Sequence, residues 1–169
     1  MLRFLFPRLT RADERGGALF DALSVKAREP HWYVEGSVPD TIDGRFRVLA
    51  TLCALAAVRL ESFGAAGEAA SVALTERFIH VMEAEHREIG LGDPTLGKTV
   101  RKLVGALARR VTLWREAIGG AVEWNDAAVD SLYGEAPRAN LVQHSSSALR
   151  SFWEALQERD VEAIAGGEI

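Results

Sequence analysis

Three groups of residues in this chain have types and spacings that chemistry uses. GDPTLGKT, residues 92 to 99, matches the phosphate-binding pattern G-x-x-x-x-G-K-[ST] at every constrained position. Glu83 and His86 stand at the E-x-x-H spacing by which di-iron helical bundles hold their metals. His31, His80 and His144, with the run Ser145-Ser146-Ser147, supply the bases and hydroxyls from which a nucleophile–base pair is assembled. Each group works only if the elements carrying it have the right form.

Those elements read as helices from end to end, so the fold class is all-α: a helical bundle of about six helices in one domain spanning residues 1–169. Arg11 to Arg28 forms the first, with Leu19, Phe20 and Leu23. The second carries Phe46, Leu49, Cys53, Ala57 and Leu60, with Asp40 as N-cap and Asp43 at the capping-box position. The third runs from about Glu68 to Ile89, with Val72, Thr75, Phe78, Ile79, Met82, His86 and Ile89 on one stripe. The fourth runs from about Pro94 to Ile118 on Leu96, Val100, Leu103, Leu107, Val111, Trp114 and Ile118, closed by Gly119-Gly120. Two more follow near Asn125 to Tyr133 and Arg138 to Glu158, the latter bearing Leu141, Leu149, Phe152 and Leu156.

This framework removes the first two chemistries. A phosphate-wrapping loop needs a buried strand before it, and here HVMEAEHREIG is a charged amphipathic helix. Asp93-Pro94 is a helix-start signal that puts Gly97, Lys98 and Thr99 inside the fourth helix. A metal site of the di-iron kind needs a second E-x-x-H, and the chain has none. His86 falls within the apolar stripe as a core or interface residue, and His80 on the opposite, solvated face. No nucleophile–base set assembles from neighbouring positions. No catalytic residue, metal ligand or cofactor is therefore assigned.

Composition bounds the remaining possibilities. With 169 residues, 48% apolar and 26% charged, the chain can bury a substantial core, and its net charge of −4 argues against a surface that grips DNA. The single cysteine, Cys53, cannot form an intrachain disulfide and reads as a small buried residue. The uncharged run Val48 to Val58, 11 residues, falls well short of the roughly 20 needed to cross a bilayer. MLRFLFPRL at the N-terminus either rests on a membrane surface or packs on the domain. Cytoplasmic location, with peripheral membrane contact open, is the expectation.

Charge and aromatic patterning offer binding surfaces instead. Residues 61 to 93 hold seven acids and two bases, whereas 94 to 118 hold six bases and one acid. Lys98, Arg101, Lys102 and Arg109 cluster opposite the apolar stripe, either as a solvated face pairing with nearby acids or as a basic ridge for RNA, anionic lipid or an acidic partner. Between the first two helices, HWYVEGSVPDTIDGRF gathers Trp32, Tyr33, Pro39 and Phe46. Such a connection either folds back on the core, as expected for Trp32, or presents a surface to a partner.

WYVEGSVPDTIDGRF, followed by a helix ending in VRLE, and REIGLGDPTLGKTVRKL resemble the ubiquinol–cytochrome c chaperone family. The C-terminal AIAGGEI is similar to the family's ending. The resemblance accounts for the false nucleotide motif, because Gly90, Gly92, Asp93, Gly97 and Lys98 belong to the family's own turn-and-helix signature. The chain departs from that pattern at His86, at Pro94 and in ARRVTLWREA. What the resemblance implies is a non-catalytic assembly chaperone of the respiratory cytochrome bc1 complex. Its client would be newly made cytochrome b, met near the ribosomal tunnel exit with a small helper protein, and here at the cytoplasmic face of the inner membrane. The partner-binding candidates are Trp32, Tyr33, Pro39, Asp40, Asp43, Arg45, Glu88, Asp93, Lys98, Arg101, Lys102 and Arg109.

Overall fold

The helix richest in small apolar residues lies at the centre of the molecule. A computed structural model describes residues 16–88, 93–133 and 139–169, and these form an all-α fold without strands. The helices are α1 (Gly17–Lys26), α2 (Ile42–Glu61), α3 (Ala65–Glu88), α4 (Asp93–Ile118), α5 (Trp124–Leu132), α6 (Ala139–Gln157) and α7 (Val161–Ala165), with a 3-10 turn at Pro30–Trp32. A helix apolar on every face has to be enclosed by others. Accordingly α2 touches all six other helices and is buried without interruption from Ala50 to Val58. Ala50, Cys53, Ala54, Ala56 and Ala57 allow close approach, while Leu52, Leu55 and Leu60 fill the space between helices. Each fully buried leucine contributes roughly 1.5–3 kcal/mol of apolar transfer. Among the described residues no helix is long and apolar enough to cross a membrane.

The N-terminus of α2 differs from the sequence expectation. Thr41, not Asp40, is the N-cap, and its Oγ1 accepts from the Gly44 N–H at 3.1 Å. Asp40 pairs with Arg45 at 2.6 Å, and Asp43 pairs one turn down the helix with Arg47 at 2.6 Å. Both carboxylates have arginine partners, so the hydroxyl is left to cap the backbone. Gly44 is required by close approach, since a Cβ there would strike the Pro39 carbonyl.

The other boundaries lie near their expected places, with three adjustments. The buried side of α3 is Ser71, Leu74, Phe78 and Met82, whereas Val72 faces outward. Residues 11–15 and Ile89 lie outside the described residues, as does the side chain of His86. A seventh helix, α7, follows α6; the Asp160 carboxylate caps it by accepting from Ala163 N at 2.8 Å. The fourth helix begins at Asp93, so Gly97, Lys98 and Thr99 are helical as expected.

The connection before α2 folds back on the core. Trp32 is 1% exposed, and its indole Nε1 donates to the Lys26 carbonyl at 2.9 Å. Tyr33 donates to the Ala27 carbonyl at 2.5 Å, and Val38 N donates to the Trp32 carbonyl at 3.0 Å. Just past α5, the Tyr133 hydroxyl donates to the Gly36 carbonyl at 2.6 Å and lies 2.8 Å from Ser145 Oγ of α6. Burial raises the Tyr133 pKa, and the Ser145 bond acts in the opposite sense. Phe46 is half-buried, its ring centroid 6.0 Å from that of Phe78. At the other end of α2, Arg59 donates to the carbonyls of Leu156, Gln157 and Arg159 at 3.0–3.2 Å. It thereby satisfies groups that the last turn of α6 leaves without an intrahelical partner.

Candidate functional site

A groove of about 1250 Å³ opens between α1, the first half of α2, α3, α4 and the end of α5. Its floor is apolar, with Phe46 and Leu49 from α2, Val81 and Met82 from α3, and Leu103 and Leu113 from α4. Two of its lining side chains are among the most exposed large hydrophobics of the molecule, Val25 at 68% and Ile42 at 82%. The walls are cationic: Arg28, Arg45, Arg47, Arg77, Lys102, Arg109 and Arg110 stand against Asp21, Asp43, Glu85 and Asp130.

These cations differ in how they are satisfied. Arg45 is held by Asp40 and lies 5.9 Å from the Tyr33 ring centroid. Arg47 is held by Asp43 and also donates to the Tyr133 carbonyl at 3.2 Å. Arg110 differs from both. It is 9% exposed, donates to the Ala106 carbonyl at 3.0 Å and to the Ser131 carbonyl at 2.8 Å, and forms no ion pair among the described residues. Desolvation lowers its pKa to about 10, and the charges of Arg47 and Arg109 push the same way more strongly than Asp130 and Asp43 oppose. A guanidinium in this state is still cationic at neutral pH.

Buried polar atoms normally have partners, and each exception calls for an explanation. Four buried side-chain atoms among the described residues lack a hydrogen-bond partner within the protein: Arg77 Nε, Arg110 Nε, Ser131 Oγ and Trp114 Nε1. The first three belong to residues that line this groove. Trp114 lies instead in the core, packed edge-on against Trp124.

The predicted partner-binding residues divide between the groove and its surroundings. Asp43, Arg45, Lys102 and Arg109 line it. Lys98 and Arg101 are exposed on α4 but lie outside it, and Glu88 is exposed at the end of α3. Trp32 is in the core, Tyr33 is half-buried, and Pro39 and Asp40 are exposed beside α2. Asp93 opens α4, with its side chain outside the described residues. Sequence reasoning missed Arg28, Arg47, Arg77 and Arg110. For Arg110 a signal existed: it lies three residues after Leu107 and four before Trp114, a cation in phase with the apolar stripe of α4.

A second polar cluster was invisible in the sequence. His31 Nδ1 lies 3.1 Å from His144 Nε2, and His31 Nε2 lies 3.1 Å from Glu29 Oε2. It ties the connection before α2 to α6. Among the described residues no group of three or more histidine, cysteine, aspartate or glutamate side chains is arranged to hold a metal ion. His80 is exposed on α3.

A family model described as Ubiquinol-cytochrome C chaperone matches residues 35–130, more than half of the chain. The matched span runs from the connection before α2 almost to the end of α5 and includes every groove cation except Arg28. No curated protein matches the chain. A solved structure described as the crystal structure of the Cbp3 homolog from Brucella abortus is similar with a TM-score of 0.72 at 24% identity. The similarity covers 100% of this chain and 95% of that one, so the two share a fold. From the family match, the chain belongs to the ubiquinol-cytochrome C chaperone family.

Proposed function

We propose that this protein is a non-catalytic assembly chaperone for the cytochrome bc1 complex and that it holds newly made cytochrome b in the groove between α1 and α5. The observation that carries this reading is the groove itself, in which exposed Val25 and Ile42 stand beside an apolar floor and an excess of cations over acids. An exposed apolar patch bounded by polar groups is the form a binding surface takes, and an apolar groove is a common seat for an amphipathic helix. Membership of a chaperone family supports the same assignment.

Lys98 and Arg101 lie outside the groove and stay available while a client occupies it. In this reading they meet ribosomal RNA near the tunnel exit or the anionic cytoplasmic face of the inner membrane, and a small helper protein completes the complex. The exposure of all four ridge cations favours a second reading, an adaptor that binds RNA or a membrane surface through α4 alone. The two separate on salt dependence, since binding carried by exposed cations weakens steeply as salt rises.

The experiment is a deletion strain of the native cell complemented with wild-type chain or with Val25→Glu/Ile42→Glu. Haem b spectra, assembled bc1 complex and co-purified cytochrome b are scored. Wild type is expected to restore all three, and the groove variant to fail while folding normally. Normal bc1 levels in the deletion strain would sink the chaperone reading.

A further inference from the structure

The groove holds an electrostatic imbalance that its apolar floor does not explain. Arg110 is buried at its inner wall with no carboxylate partner among the described residues, its Cζ 6.0 Å from the centroid of the Phe46 ring. Arg47 and Arg109 are the cations that act on it most strongly. Ser131, whose carbonyl it bonds, has a buried hydroxyl with no partner in the protein. Removing one partner of a buried charge is costly, so a guanidinium kept here without a counter-ion marks a place where one arrives from outside.

We propose that Arg110, flanked by Arg47 and Arg109, forms a subsite for a carboxylate carried by an amphipathic helical segment of the client, whose apolar face rests on Phe46, Leu49 and the exposed rim. The proposal rests on the client-binding reading above and specifies what the client must present. A glutamate or aspartate at the edge of the helix's apolar face reaches the guanidinium, while Ser131 Oγ offers a further donor. The order of the surfaces favours a protein helix over a lipid. The buried charge is Arg110 and the exposed apolar side chains are Val25 and Ile42, the reverse of what a headgroup in water with buried acyl chains needs. RNA has no use for the apolar rim.

The test uses the purified full-length chain and two synthetic helical peptides of about 18 residues, five turns long. Both are built of leucine, alanine and glutamine. One carries a single glutamate at the edge of the apolar face and the other a glutamine there. Wild type is expected to bind the glutamate peptide about ten-fold more tightly, as a charge-assisted contact in a desolvated site provides. In Arg110→Gln that preference falls to less than about two-fold. Should Arg110→Gln fail to fold by circular dichroism, Arg109→Gln and Arg47→Gln carry the test, and each must reduce the preference. Equal wild-type affinity for the two peptides, or a preference intact in the arginine variants, overturns the proposal. So does binding to phosphatidylglycerol vesicles that depends on Arg110 while the peptides are not distinguished, which would assign the site to lipid. Cytochrome b co-purification is read separately. Acid preference without cytochrome b keeps the subsite and discards the client, and cytochrome b without acid preference discards the subsite alone.

Discussion

Arg59 and Arg110 both reach from one helix to the carbonyl end of another, and they arrive in different states. Arg59 leaves α2 for the end of α6 and uses Nε, Nη1 and Nη2 in hydrogen bonds, while remaining partly open to water. Arg110 leaves α4 for the end of α5, is buried more deeply, and keeps an unpartnered Nε. If stability alone shaped the molecule, the more buried arginine would be the better satisfied one. The inversion separates two regions. Around Arg59 and the connection before α2, polar groups close on one another and hold the fold. Along the groove Arg77, Arg110 and Ser131 each keep a buried polar atom without a partner among the described residues.

The largest expected effect tests the satisfied region. Trp32→Ala removes a ring that is 1% exposed and should cost about 3–5 kcal/mol, read as a lower urea midpoint at unchanged slope. A loss below about 1 kcal/mol would mean that the connection before α2 is not anchored as described.

The two arginines give the direct comparison. Arg59→Ala leaves three carbonyls short of a donor and should cost about 2 kcal/mol, a value reduced by the water that still reaches the site. Arg110→Met exchanges a desolvated charge and two carbonyl bonds for apolar contact, and should fall within about 1 kcal/mol of wild type. If Arg110→Met proves the more damaging of the two, Arg110 is a structural tie and the distinction between the regions collapses.

Tyr133 sharpens the same comparison through pH. Burial raises its folded pKa above the ordinary value of 10.0, so its contribution to stability is whole below that pH and is lost as pH rises through the folded value. Unfolding free energy should therefore decline as pH rises past about 10 in wild type, and less in Tyr133→Phe. Identical alkaline profiles would show that the bond from Tyr133 to Gly36 carries no weight. The smallest effect is expected at Lys98, where Lys98→Ala should stay within about 0.5 kcal/mol because the side chain is exposed.

How much of this was legible in the sequence follows from what each feature depends on. The helices α2 to α6 could be read because apolar spacing and helix signals such as Asp93-Pro94 are local. The shortest, α7, escaped because its five residues bury only Ile164 and make too short a stripe to read. The N-cap moved from Asp40 to Thr41 because the arginine partners of Asp40 and Asp43 decide which oxygen stays free. The basic character of α4 was plain, but the groove was not. Arg47, Arg77 and Arg110 come from three helices and share a wall only after packing. The contact between His31 and His144 likewise has no trace in local spacing.

Cys53 carries a practical consequence. It is the chain's one cysteine, it sits at the centre of α2 with no exposure, and burial pushes its thiol pKa up. An alkylating reagent can therefore reach it only when the helices around α2 separate, so the rate of labelling reports how often the whole bundle opens. Whatever fills the groove slows that opening by mass action. A thiol placed there by ordinary core packing thus serves as a built-in clock on which occupancy of the groove can be timed.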